Sequence, residues 1–347
     1  MKKNYLFLFL LLIIAVLIGG CEPEESADNP ISGQSTELNK PGVPGSPQQL
    51  VTGLEGASGS TVGPGGALFV TEGAAGRISR VDPKTGNVTT FASGLPPSII
   101  GLGGVIDVAF IGSTAYALVT VVDDPNLFPT GDINGIYRVD GPNSFTVIAD
   151  IGAYNIAHPP TGFDFFVVTG LQYAIQTYQG GFLVTDGHLN RVLYVTLDGN
   201  ITIFKSFGDI VPTGLEVRGN KVYMAEAGPV PHLPENGKVI SFSPNSSSVA
   251  NVAAGARLLV DVEFGRGETL FALAQGIFGG GDPGSPALPN TGSLVRVNGD
   301  GTFSEITNGL DRPTSLEIIG NTAYIVTLTG EIWSIDNIAS PPFSYSD

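Results

Sequence analysis

Residues 66–82, GALFVTEGAAGRISRVD, hold the unit from which the chain is built. A turn glycine leads into an apolar strand ending at Glu72, a short polar bend follows, and a second strand ends at Asp82. The phrase returns five times: STAYALVT (113–120) with GIYRVD (135–140), GFLVTDGHLNRVLYVTLD (181–198), NKVYMAE (220–226) with GKVISFS (237–243), ETLFALAQ (268–275) with GSLVRVN (292–298), and NTAYIVTLTGEIWSID (321–336). One apolar position, Phe69, Tyr116, Leu183, Tyr223, Phe271 and Tyr324, recurs at intervals of 47, 67, 40, 48 and 53 residues. Strand–turn–strand content at a period near fifty points to propeller blades. No long stretch has helical periodicity, and the 48 glycines and 25 prolines fit many short strands joined by tight turns.

Each repeat carries a lead-in strand and a trailing strand. Trailing strands read NVTTFASGL (87–95), SFTVIAD (144–150), NITIFKSF (200–207), SVANVAAGARL (248–258) and TFSEITNGL (302–310), five for six repeats. The sixth stands at the other end, as QQLVTGL (48–54). The sequence thus predicts an all-β, six-bladed β-propeller over residues 48–338, closed by the N-terminal strand completing the C-terminal blade, with a tail at 339–347. Lead-in strands such as GLEGASGSTV (53–62), VPTGLEV (211–217), LLVDVEF (258–264) and RPTSLEI (312–318) line the channel in this scheme, where small Gly, Ser and Thr suit a crowded axis. Insertions at 122–134, 228–236 and 276–291 all fall between second and third strands, and a further one at 151–170 joins blades 2 and 3. Loops at these points emerge on one face, so one mouth of the ring is decorated and the other plain.

Lys2 and Lys3 precede thirteen apolar residues, Leu6 to Ile18, too few to span a bilayer but the right length for a secretory signal over residues 1–20. Ile18-Gly19-Gly20-Cys21 resembles the lipobox of bacterial lipoproteins, which implies lipidation of Cys21 and attachment to a membrane surface in the cell envelope, periplasmic or at the cell surface. Residues 21–47 have too little apolar bulk to fold and read as a tether. Cys21 is the single cysteine, so the mature domain has no disulfide. The formal charge of −16 becomes −18 once Lys2 and Lys3 leave with the signal, and a surface this acidic repels phosphate backbones: no nucleic-acid partner is expected.

Taken together, VPTGLEV, KVYMAEAG and GKVISFS of one repeat, FLVTDGHLNRVLYVTLDGNIT, and GSLVRVNGDGTFSEITNGLDRPTSLEI resemble the ScyD/ScyE family across residues 48–336. The resemblance implies a six-bladed propeller related to NHL-repeat and gluconolactonase-like proteins, and no settled activity. A gluconolactonase-like site carries a glutamate at the first lead-in strand, near which Glu55 stands here. The single tryptophan, Trp333, is not followed by Asp, which speaks against WD40 blades.

Second strands end on the decorated face, where the matching position holds Glu72, Asp186 and Glu226, with Val119, Ala274 and Thr327 in the other blades. Three carboxylates at one mouth are candidate ligands for Ca²⁺ or another divalent cation. His188 and His232 extend the set to Glu72, Asp186, His188, Glu226 and His232, while His158 lies in the 151–170 insertion. Acids at strand ends equally serve to cap turns and bind loop amides. Phe128, Tyr154, Phe163, Phe165, Phe166 and Phe278 sit in or near the insertions, as a ligand floor or as small cores under loops. No nucleophile elbow and no phosphate loop is present. The reading that fits best is a lipid-anchored module binding a small molecule, glycan or envelope protein. The alternatives are a metal-dependent lactonase or esterase, and a quinone-dependent sugar oxidoreductase. The last needs basic groups, and Arg77 and Arg191 alone stand in the bends between second and third strands.

Overall fold

The computed structural model describes residues 43–162, 165–244 and 246–341. The expected signal peptide, Cys21, most of the expected tether, Phe163 and residues 342–347 lie outside them. Among the described residues no helix is long and apolar enough to cross a membrane.

Six four-stranded antiparallel sheets follow one another along the chain. Their innermost strands are Ala57–Val62, Gly104–Ile111, Gln172–Tyr178, Pro212–Arg218, Leu259–Phe264 and Pro313–Ile319. Each packs on the next, and the sixth packs on the first, so the sheets close into a ring of six blades. Second strands are buried along nearly their whole length: Leu68–Glu72, Gly181–Asp186 and Leu270–Ala274 are buried at every residue. Outer strands such as Val88–Ser93 and Val249–Ala254 alternate little and face solvent. Continuous apolar runs therefore mark the middle of each blade, where both faces meet a neighbouring blade.

The ring closes as the strand count requires. Gln48–Val51 pairs antiparallel with the third strand of blade 6, Gln48 opposite Ser334, Gln49 opposite Trp333 and Val51 opposite Ile332. Just ahead of it, the Gly45 amide donates to the Asp336 carbonyl (2.7 Å). Val51 and Leu54 are buried in a core shared with Leu68, Val70 and Ile332, which ties blade 1 to blade 6. Ladder hydrogen bonds that a truncated sheet edge leaves open are thus made within the chain.

Among the described residues one α-helix departs from the all-strand expectation. Residues Ile151–Ala157, at the head of the insertion between blades 2 and 3, form an α-helix. Asp150 ends the preceding strand and caps the helix, its carboxylate accepting from the Ala153 amide (2.8 Å). Seven residues are too short for the apolar period to register in the sequence.

Candidate functional site

The decorated mouth opens into a cavity of about 880 Å³ that runs down the axis of the ring. Its rim is built from the insertions: Phe166 from 151–170, Pro229 and His232 from 228–236, Pro283 and Pro286 from 276–291. The connection between blades 1 and 2 adds Ile100 and Leu102. Asp124 joins two of the insertions, accepting from the Val168 amide (2.9 Å).

The three strand-end acids do not face this cavity as free ligands. Glu72 receives a bidentate hold from Arg77 (Nη2 to Oε2 2.6 Å, Nε to Oε1 2.8 Å), with Ser79 Oγ and the Glu55 amide completing its shell. Burial alone would raise its pKa, but these hydrogen bonds outweigh burial and hold it below the usual value. Asp186 accepts from Asn155 Nδ2 and Gln172 Nε2 on one oxygen and from the Leu171 and Leu189 amides on the other. Glu226, 4% exposed, stands opposite Lys238 in the ladder, and burial pushes its pKa up to about 7 against the pull of that ammonium.

The histidines are similarly placed by their surroundings. His188 lines the cavity, Nε2 accepting from the Val167 amide (3.2 Å), its ring edge-on to Phe165 and Phe166. Burial lowers its pKa, against the raising effect of Asp186 and Asp124, which keeps it neutral. His232 donates from Nδ1 to the carbonyls of Gly228 and Ala227 and meets Phe278 edge-on. His158 stacks on Tyr154, away from the channel wall. Among the described residues no three His, Cys, Asp or Glu side chains are grouped so as to hold a metal ion, so Glu72, Asp186, His188, Glu226 and His232 do not share one coordination sphere. Each is instead tied to its own blade or loop.

The bend arginines are internal too. Arg77 bridges Glu72 and the exposed Glu55 (3.3 Å). Arg191, 1% exposed, donates to Asn155 Oδ1 and to the His158 carbonyl (both 2.8 Å), which clamps the short helix over blade 3. Neither lines the cavity, whose wall is acidic, and that wall is a poor match for an anionic quinone.

What the sequence reading passed over lies deeper. The inner strands place Ser58, Ile106, Tyr173, Thr213, Val260 and Thr314 in one layer of the channel. Tyr173 reaches from blade 3 to the opposite blade 6, its hydroxyl donating to the Thr314 carbonyl (3.0 Å) across the axis. One residue further along the strands sit Gly59, Asp107, Ala174, Gly214, Asp261 and Ser315. Asp107 accepts from its neighbour Val108 and from the Ile175 amide of the next blade. Asp261 repeats this three blades on, accepting from Val262 and from Leu316 of blade 6. Glycine is required beside each: a Cβ on Gly59 would lie 2.7 Å from Asp107 Cα, and one on Gly214 would lie 2.6 Å from Asp261 Cα.

Two residues beyond come Glu216, Glu263 and Glu317, on consecutive blades 4, 5 and 6, with Gln176 on blade 3 donating to Glu216 (2.7 Å). Five acids therefore surround the lower channel. Burial pushes Asp261 and Glu216 up to about 7, and burial with mutual repulsion pushes Glu263 and Glu317 well above the carboxylate range. Asp107 is raised by burial as well, in spite of its two amide donors.

No family model and no curated protein matches the chain. Solved structures do. The PQQ-bound form of an aldose sugar dehydrogenase from Streptomyces coelicolor superposes with a TM-score of 0.57 at 15% identity, covering 85% of this chain and 99% of that one. A gluconolactonase from Xanthomonas campestris gives 0.58 at 10%, covering 84% and 89%. Virginiamycin B lyase from Staphylococcus aureus gives 0.51 at 14%, covering 84% and 98%. At such identities the likeness is one of fold: the six-bladed propeller of this chain is similar in fold to these structures.

Proposed function

We propose that this protein is a lipid-anchored binding module of the bacterial cell envelope, which takes a small molecule through the decorated mouth into the central channel. One observation carries the reading: a cavity of about 880 Å³, the size of a site for a drug-sized ligand, at a mouth whose strand-end carboxylates Glu72 and Asp186 are saturated by internal donors. Attachment through Cys21 rests on the lipobox-like motif, and affiliation with the ScyD/ScyE family on the repeat motifs. The test is direct. Protein extracted from membranes in mild detergent is denatured and its released small molecules are identified by mass spectrometry, then titrated back in thermal melts. Ile100→Trp, at an exposed position of the rim, narrows the mouth and is expected to weaken binding at least tenfold with an unchanged melt. If no small molecule is released and none in a solute panel raises the Tm, this reading fails. Cys21→Ser moves the chain to the soluble fraction; retention in the membrane refutes the anchor.

A second reading, hydrolysis of a lactone or ester, is favoured by the likeness in fold to a gluconolactonase from Xanthomonas campestris. Glu226, a buried strand-end carboxyl whose pKa burial pushes up to about 7, is its candidate general base. Lactone turnover that follows the titration of a group near pH 7 and is lost in Glu226→Gln would establish it.

A further inference from the structure

The lower channel has features that a purely structural plug does not need. The Glu263 carboxyl has no side-chain hydrogen bond among the described residues, and burial followed by the neighbouring acids raises its pKa. It is surrounded by protein, and the surface left to the residue is the cavity it lines. Its neighbours carry the same sign on nearly every side: Glu216 from blade 4, Asp261 from its own strand, Glu317 from blade 6 and Asp107 from blade 2. Blade 3 contributes the neutral Gln176 and the Tyr173 phenol. Arg218, whose charge reaches Glu216, is drawn outward, paired with Glu268 and seated 4.9 Å from the centre of the Phe264 ring. An unpaired acid in a chamber of acids is stable only while it keeps its proton, and a cation entering the chamber is what would let it ionise.

Resting on the channel-binding reading above, we propose that the occupant is an organic ammonium ion, its charged end held by Glu263 and Glu317 with Asp261 beside them. Three features select this class. The acids are not grouped closely enough to coordinate a metal ion. The cavity has room for an organic body as well as a charge. The way in passes aromatic faces, Phe165 and Phe166 at the rim and Tyr173 across the axis, which attract ammonium groups. A formal charge of −16 adds long-range attraction for cations. Binding is an exchange: the amine enters as its protonated ammonium, a Glu carboxyl gives its proton to solvent, and the ion pair forms in its place.

Isothermal titration of the full chain in detergent tests this, with 1,5-diaminopentane as probe and pentane-1,5-diol as its uncharged counterpart. The diamine is expected to bind at least tenfold more tightly than the diol. In buffers of different ionisation heat at pH 7, it releases close to one proton per molecule bound, and affinity rises from pH 6 to pH 8 as that release becomes easier. Glu263→Gln with Glu317→Gln keeps the shape, removes the charge and is expected to weaken the diamine at least tenfold without lowering the Tm. Equal affinity for diamine and diol, no proton release, or full diamine binding by the double variant overturns the proposal while leaving a small-molecule channel intact. If neither these probes nor any solute of the melt panel binds, the channel-binding reading itself fails.

Discussion

Replacing Glu226 by Gln gives a stability change that depends on pH in a calculable way. The side chain is 4% exposed and its pKa rises from 4.5 to about 7 on folding. A group whose folded pKa is raised contributes full stability below its unfolded value and loses it as pH climbs through the folded value. At pH 8 the ionised carboxylate opposes folding by about 3 kcal/mol, and at pH 5 by less than about 1 kcal/mol. Glutamine is the neutral isostere of the protonated acid, so Glu226→Gln removes this opposition. The ring from Gln48 to Asp336 spans about 290 residues, for which the unfolding entropy is about 0.6 kcal/mol/K. The variant should therefore melt about 5 °C above the parent at pH 8 and only about 1 °C above it at pH 5. Scanning calorimetry at the two pH values decides. An equal increment at both, or a lower Tm at pH 8, would refute the argument that an ionised Glu226 is held in a site that disfavours its charge.

Gly59→Ala places a methyl against Asp107 and forces the inner strands of blades 1 and 2 apart, for a loss of about 1–3 kcal/mol in thermal unfolding; Thr61→Ser in the same strand should be near neutral. Arg191→Met leaves Asn155 Oδ1 and the His158 carbonyl without their donor at about 1–3 kcal/mol each, and limited proteolysis between residues 157 and 170 should speed up at least tenfold. An unchanged cleavage rate would mean that the helix is held by other contacts. Deleting residues 48–52 opens the edge of blade 6 and uncovers Ile332, so the Tm should fall by more than about 10 °C and size-exclusion should show self-association through the bare edge.

The architecture was readable because each blade repeats one phrase and the strand bookkeeping left a single gap, filled by QQLVTGL at the far terminus. The strand-end acids were found where expected, and the internal role weighed for them is what Glu72 and Asp186 show. Partners made the difference. Arg77 sits five residues beyond Glu72, whereas Asn155 reaches Asp186 from another segment that no local pattern connects to it. The channel acids were in plain sight within VPTGLEV, LLVDVEF and RPTSLEI, yet taken singly each Glu looks like the polar face of a half-exposed strand. Only closing six such strands about one axis turns solvent-facing positions into a shared chamber. The pairing of Gly59 with Asp107, repeated by Gly214 with Asp261, was hidden for the same reason: its period is three blades, and bulges shift the register in each.

The seam between blades 1 and 6 has a consequence for how the chain is ordered in space and in sequence. Because Gly45 bonds to Asp336 and Gln48–Val51 lies along Ile332–Asp336, the two ends of the ring are already neighbours. The ring has no intrinsic first blade. A circular permutant that joins the segment after Asp336 to the one before Gly45, and opens instead between Lys238–Phe242 and Val249–Ala254, keeps every other strand pairing in place and moves the seam to blade 4. Such a chain would present its free end a third of a turn around the ring, so the direction from which the leading segment departs is separable from the propeller itself.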